Sequence, residues 1–275
     1  MTLPNFLIIG AAKGGTTSLY NYLRQHPDIY MSPMKEPNYF TDEDQLFGKK
    51  AVRSRGEYER LFDGVTNERA IGEATPRYLN AIGGVGRIHA DLPGVRLIVT
   101  LRQPADRGYS AYLQRFTDSR ERRSADEVLQ PRNYQFEAGR YHAKLRRYFD
   151  TFPREQIKII LFDDLVARPR ETVQSLFSFL GVDPDFAVDT SVRYLVTMYP
   201  RFLRLTRLFN ATATAVARNA PWASRTGLGT PLRRLLLRKP DPIPRVLWQR
   251  LTDQYRDDII ATAELIGRDL SHWLV

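Results

Sequence analysis

Phe6–Leu19 reads FLIIGAAKGGTTSL, an apolar run that empties into a glycine-rich turn and then into helix-forming residues. Strand, turn and helix in that order outline a phosphate-binding loop. Backbone N–H groups of the turn and of the first helical turn face an anion there, and the helix N-terminus adds about half a positive charge. Gly10 and Gly15 have the spacing of the glycines in G-x-x-x-x-G-K-[ST]. Thr16 stands where that motif places its lysine, and Lys13 lies inside the loop. The cradle is kept while its cation is relocated. A plain turn before a helix would also give two glycines and a threonine run, so other segments must decide between the readings.

Val95–Tyr112, VRLIVTLRQPADRGYSAY, is the second such segment. Five of the seven residues from Val95 to Leu101 are large and apolar, as a buried parallel strand requires. Arg102 follows at its carboxyl end, and Pro104 suits the first turn of a helix, where a missing N–H costs nothing. Ser110 falls on the second turn of that helix. An arginine at a strand end and a hydroxyl on the next helix can converge on one phosphate, the arginine through a charge-assisted fork. Taken alone, the segment reads equally as a strand followed by an amphipathic helix with solvated arginines.

Two further stretches carry chemistry-bearing side chains, Lys35-Glu36-Pro37-Asn38-Tyr39-Phe40 and Gly72-Glu73-Ala74-Thr75-Pro76-Arg77-Tyr78. An alcohol becomes a competent nucleophile when a carboxylate within hydrogen-bond reach accepts its proton; by itself Glu36 reads as an ordinary solvated acid, and only the neighbouring motifs assign it that task. Developing negative charge on a leaving phosphate calls for a cation and N–H donors, and Lys13 is the candidate there.

In this order the segments resemble sulfotransferases that use 3'-phosphoadenosine 5'-phosphosulfate (PAPS), in particular bacterial members of the glycan and heparan-sulfate type. K-G-G-T-T-S after a strand is similar to their 5'-phosphosulfate loop, which implies donor contacts from Lys13, Gly14, Gly15, Thr16, Thr17 and Ser18. The pattern R-x-P-x-x-R-x-x-S-x-Y from Arg102 to Tyr112 resembles their 3'-phosphate strand and helix, which assigns Arg102 and Ser110. Glu36 matches the general base of a K-E-P-x-[FY]-F element. Glu73 matches the E-K-[ST]-x-x-[YF] element near the acceptor, except that Ala74 replaces its lysine, a loss that Arg77 could partly compensate and that argues against a polyanionic glycosaminoglycan as acceptor. Gly139-Arg140-Tyr141 resembles the segment reaching the adenosine end, placing Tyr141 there, although a helix-starting glycine and a core tyrosine would read the same. Arg238-Lys239-Pro240 resembles a basic loop that closes over the nucleotide, with Lys239 as phosphate contact. The resemblance implies PAPS as donor, 3'-phosphoadenosine 5'-phosphate (PAP) as product, and neither metal nor covalent intermediate. It also implies an in-line transfer to a hydroxyl of a carbohydrate, glycolipid or glycosylated natural product.

Composition agrees with an enzyme of this class. The 275 residues suffice for one large α/β domain, a single P-loop-like parallel sheet flanked by helices, and no repeat or flexible linker divides residues 1–275. Cysteine is absent, which excludes a disulfide framework and a thiolate metal site. His26, His89, His142 and His272 lack ligand spacing, and His26 reads as structural. No apolar run reaches the length of a membrane span and the first strand starts by about Asn5, so no signal peptide or anchor is expected and a stand-alone cytoplasmic protein is.

The expected elements are a strand and helix to His26, a short helix at 57–62, a strand near Ala70, a helix at 78–89 and a strand from Val95. Helices from Pro104, from about Tyr134 and from Gly139 to Thr151 follow, then a strand at 156–162, a helix at 169–180 and a long final helix. Such alternation predicts a parallel sheet with ligands at the carboxyl ends of its strands.

Charge is concentrated. Residues 193–256 hold thirteen Arg or Lys against Asp241 and Asp253, and the remainder of the +10 chain is close to neutral. This segment is expected to form a basic helical cover for the nucleotide or acceptor. The apolar and basic spacing within 202–238 admits peripheral membrane contact as well as plain packing on the sheet. Two other classes compete: a nucleoside-triphosphate-dependent kinase, for which Asp163-Asp164 would hold magnesium, and a nucleic-acid binder, for which no recognised motif accompanies the charge.

Overall fold

The computed structural model describes residues 2–46, 48, 50–118, 120–192, 194, 199–200, 237–238 and 240–275. Five strands, β1 (Phe6–Gly10), β2 (Ile29–Met31), β3 (Ala70–Ala74), β4 (Arg96–Leu101) and β5 (Ile157–Leu161), form one sheet in the order β2-β3-β1-β4-β5. Every pairing in it is parallel. All five residues of β1 are buried, as a central strand covered on both faces demands. The described helices are α1 (Thr16–Leu23), α2 (Arg55–Glu59), α3 (Gly84–Asp91), α4 (Pro104–Thr117), α5 (Ala125–Val128), α6 (Tyr134–Glu137), α7 (His142–Thr151), α8 (Phe162–Ala167), α9 (Pro169–Leu180) and α10 (Arg245–Ile266).

Residues 1–103, 140–195 and 256–275 make one compact unit, and residues 104–139 with 196–255 a second. The first contains the sheet. Phe6 and Ile8 of β1, Ile98 of β4 and Ile160 of β5 pack with Leu19 and Leu23 of α1 and with Val173, Leu176 and Phe177 of α9 in one buried cluster. His26 belongs to this framework: its Nδ1 accepts the Asp28 N–H at 3.0 Å and its ring lies against Phe177 and Phe186. In the second unit α4 packs with α5 and α6, and β6 (Tyr199–Pro200) pairs antiparallel with β7 (Leu237–Arg238). Most of the basic stretch 193–256, including all of 201–236, lies outside the described residues, as does the reading of 202–238 as a membrane-facing segment.

Three elements differ from expectation. Edge strand β2 occupies a stretch read as loop. The helix expected at 78–89 is a single 3-10 turn, Tyr78–Asn80, followed by α3. Residues 81–83 separate them, and Gly84 is required at the start of α3 because a Cβ would come within 2.5 Å of the Phe40 carbonyl. Helix α8 starts directly at the end of β5, in residues read as the strand's last position and the acid pair after it.

The register carries β1, β3 and β4 to a common edge. Leu7 pairs with both Glu73 and Leu97, so Gly10, Ala74 and Leu101 end on the same side of the sheet. The chain leaves β1 towards β2 on one side, and reaches β4 on the other side of β1 after β3. Such a reversal opens the crevice in which parallel α/β sheets bind ligands.

Candidate active site

The loop after β1 is shaped by close approach. Ala11 donates its N–H to the Thr100 carbonyl at 2.7 Å, and Thr100 Oγ1 donates to the Gly14 carbonyl. A Cβ on Gly14 would lie 2.4 Å from Thr100 Oγ1, so no other residue fits. Gly15 sits at φ 95°, a conformation native to glycine, and a Cβ there would press on Leu165 and Phe162 of α8. Lys13 also adopts positive φ, 73°. Alternating left-handed and right-handed residues turn successive N–H groups to one side and create an anion-binding concavity. Gly15 caps α1 without a side-chain hydrogen bond, so the orphan N–H groups of its first turn have no side-chain cap. Lys13, Gly14, Gly15, Thr16 and Thr17 follow one another around this turn into α1. Ser18 turns its hydroxyl to the Tyr194 carbonyl at 3.5 Å, and Thr16 is buried.

Arg102 follows β4 two residues after Thr100, so the strand that pins the loop also presents the arginine. Its guanidinium stacks over the Phe162 ring, 4.8 Å from the centroid, and reaches the Lys13 carbonyl at 3.5 Å. The backbone beneath is braced. The Tyr141 hydroxyl donates to the Arg102 carbonyl at 2.8 Å, and Gln103 Nε2 donates to the Trp273 carbonyl at 3.2 Å. Tyr141 was expected at the adenosine end of the donor. It is 1 % exposed, with its N–H held by Asp258 at 2.7 Å, so in this position it acts on Arg102 from inside the protein. Ser110 is buried on α4 of the second unit, Arg238 of the basic loop is paired with Asp241, and Lys239 lies outside the described residues.

The Glu36 loop hangs from β3. Glu36 donates its N–H to the Ala74 carbonyl at 3.0 Å. Glu36 and Asn38, at φ 59° and 58°, flank Pro37. Left-handed backbone away from glycine costs about 1–3 kcal/mol per residue and persists where neighbours over-determine it. Asn38 supplies that restraint, donating from Nδ2 to the Glu36 carbonyl at 2.6 Å and to the Lys50 carbonyl at 3.2 Å. The Glu36 carboxylate is a quarter exposed and meets Lys35 Nζ at 3.4 Å. Lys35, Glu36, Asn38 and Lys50 line an open cleft of about 370 Å³. Lys50 was not singled out in the sequence, where nothing marks a lysine twelve residues past Asn38 as its neighbour.

Glu73 and Arg77, expected at the acceptor, are turned inward. Glu73 has no exposed surface, and its oxygens accept from Tyr58 at 3.3 Å and from Thr75 at 2.8 Å. Arg77 Nη1 donates to the Gln45 carbonyl at 2.9 Å, bracing the turn Glu43–Gln45. The acids that prompted the kinase reading are engaged elsewhere. Asp163 accepts from Trp273 Nε1 at 2.8 Å, and Asp164 pairs with Arg168 and Arg268. Burial works against the Asp164 charge, but the two arginines hold its carboxyl below the usual range.

One sheet edge thus carries an N–H cradle with a lysine, a stacked arginine and a partly exposed carboxylate in a cleft. A profile of the sulfotransferase family matches residues 4–186, more than half of the sequence, and the chain belongs to that family. Its structure superposes on a sulfotransferase from Alicyclobacillus acidocaldarius with a TM-score of 0.76, at 33 % identity over 99 % of each chain. It is 27 % identical to human heparan sulfate glucosamine 3-O-sulfotransferase 6, covering 97 % of this chain and 72 % of that protein. Against human carbohydrate sulfotransferase 15 the identity is 29 %, covering 66 % of this chain and 44 % of the relative. The chain thus spans less than half the length of several curated relatives it matches. No helix among the described residues is long and apolar enough to cross a membrane.

Proposed function

We propose that this enzyme moves a sulfuryl group from PAPS to a hydroxyl of a carbohydrate, glycolipid or glycosylated natural product. The observation that carries the reading is the single edge shared by two functions. The Lys13 loop and Arg102 are pinned together through Thr100, and Glu36 hangs from the adjoining strand β3. The residues fit an anionic donor, since Gly14 and Gly15 leave backbone where side chains would intrude and the helix N-terminus behind them has no side-chain cap.

PAPS supplies an activated sulfuryl group on its 5'-phosphate. Lys13 and the N–H groups of 14–17 stabilise the charge that grows on that phosphate as its bond to sulfur breaks. Glu36 accepts the proton of the acceptor hydroxyl as the new sulfur–oxygen bond forms, and PAP departs. Arg102 holds the 3'-phosphate. Ser110 and Lys239 are assigned by motif alone. Carbohydrate acceptors are supported by the names of the relatives, and Ala74 in place of the lysine argues against a polyanionic one.

The test is label transfer from ³⁵S-PAPS to a panel of neutral glycans, glycolipids and desulfated heparin. Wild-type enzyme is expected to label a hydroxyl acceptor, and Glu36→Gln to lower kcat by about 10²–10⁴-fold with PAP affinity unchanged. Turnover by Glu36→Gln at the wild-type rate would remove Glu36 as base.

A further inference from the structure

Carboxyl groups are rarely buried without a partner cation. Glu73, on β3, is fully buried and is met by hydroxyls instead: Tyr58 of α2 on Oε1 and Thr75 on Oε2. Burial and the nearby Glu73 carboxyl push Tyr58 well above the ordinary phenol range, so it stays protonated and remains a donor. From the loop in front, the charge that acts on Glu73 is that of Glu36, which is itself paired with Lys35. The backbone ties the two carboxyl-bearing segments on both sides of Glu73. Ser32 donates to the Gly72 carbonyl at 2.8 Å and Glu36 to the Ala74 carbonyl at 3.0 Å.

We propose that Glu73 is a positioning residue that sets the proton affinity of Glu36 from inside the protein and does not itself touch the acceptor. The proposal rests on Glu36 being the base. Burial raises Glu73 to about 7 against the hydrogen bonds of Thr75 and Tyr58, so near neutral pH it passes between acid and carboxylate. Its ionised form places a second negative charge behind Glu36 and strengthens the grip of Glu36 on the acceptor's proton. Its protonated form withdraws that help. The interaction acts equally in both directions, each carboxyl's charge disfavouring ionisation of the other.

The experiment is a ¹³C NMR titration from pH 4 to 9 of enzyme labelled at the glutamate carboxyl carbon, in wild type, Glu73→Gln, Glu36→Gln and Tyr58→Phe. A step near 7 is expected in wild type and absent from Glu73→Gln. Without the Glu36 charge this step falls by about half a unit or more in Glu36→Gln, and without one of its donors it rises in Tyr58→Phe. Glu36 is a quarter exposed, so its substitution tests the link even where Glu73→Gln fails to fold. The same midpoint in Glu36→Gln and wild type would overturn the proposal. A kinetic arm uses slow transfer of label from PAPS to water: the wild-type rate rises through pH 7, and Glu73→Gln is flat there with the KM for PAPS unchanged. A rise that survives in Glu73→Gln would equally overturn it. Failure of Glu36 as base reads differently, as wild-type label transfer by Glu36→Gln whatever the titration shows.

Discussion

The donor loop and the Glu36 loop each follow a strand of the same sheet and each hold residues at positive φ, yet they are fixed by opposite means. In residues 10–18 the shape comes from absence: Gly14 and Gly15 leave the room that Thr100 Oγ1, Phe162 and Leu165 occupy. In residues 35–38 there is no glycine. Left-handed backbone at Glu36 and Asn38 is imposed by hydrogen bonds to the carbonyls of Ala74 and Lys50, far along the chain. A cradle for a constant anionic group can be made of bare backbone. The carboxylate proposed as base is held instead by a backbone bond to β3 and by the Asn38 side chain, whose identity can change with the acceptor.

Substitutions should break the two loops differently. The largest effect is expected from Gly14→Ala, whose Cβ collides with Thr100 Oγ1 and displaces the loop. Calorimetry should then show no heat with PAP at concentrations that saturate the wild type. Asn38→Ala removes the two Nδ2 hydrogen bonds that steady the Glu36 loop, keeping the Glu36 N–H bond to Ala74 and leaving the donor loop alone. A misplaced base is expected to lower kcat by about tenfold to a hundredfold with PAP affinity retained, which separate kcat and Kd measurements will read.

A smaller effect concerns stability. Glu73 holds its proton in the folded protein up to about 7, whereas the unfolded chain releases it near 4.5. Between those values the folded state binds more protons, so stability falls as pH rises, by up to about 3 kcal/mol across the window. Urea unfolding at pH 5 and pH 8 should show the Glu73 contribution as a loss at the higher pH, and Glu73→Gln should lack it.

The same contrast explains what was legible in the sequence. Arg102 could be placed at a strand end because a buried parallel strand writes itself as an apolar run, and the loop because glycine spacing is local. The parallel sheet followed from strand and helix alternation. Strand β2 was hidden because three residues set between Pro27 and Pro33 carry too short a pattern. The inward turn of Glu73 was hidden because an acid in a strand reads as a solvent-facing position, and its hydroxyl partner Tyr58 lies fifteen residues away on another element. The bracing of Arg102 by the C-terminal segment through Gln103 and Trp273 spans 170 residues and leaves no local trace.

The central claim is that the β1 loop and Arg102 form a site for the 3'-phosphorylated nucleotide. Calorimetric titration with PAP beside ATP and AMP, in wild type and Arg102→Ala, addresses it directly. PAP is expected to bind selectively, and loss of the charge-assisted contact to weaken it by roughly 10- to 100-fold. Equal binding of the three nucleotides, or PAP affinity indifferent to Arg102→Ala, would contradict it.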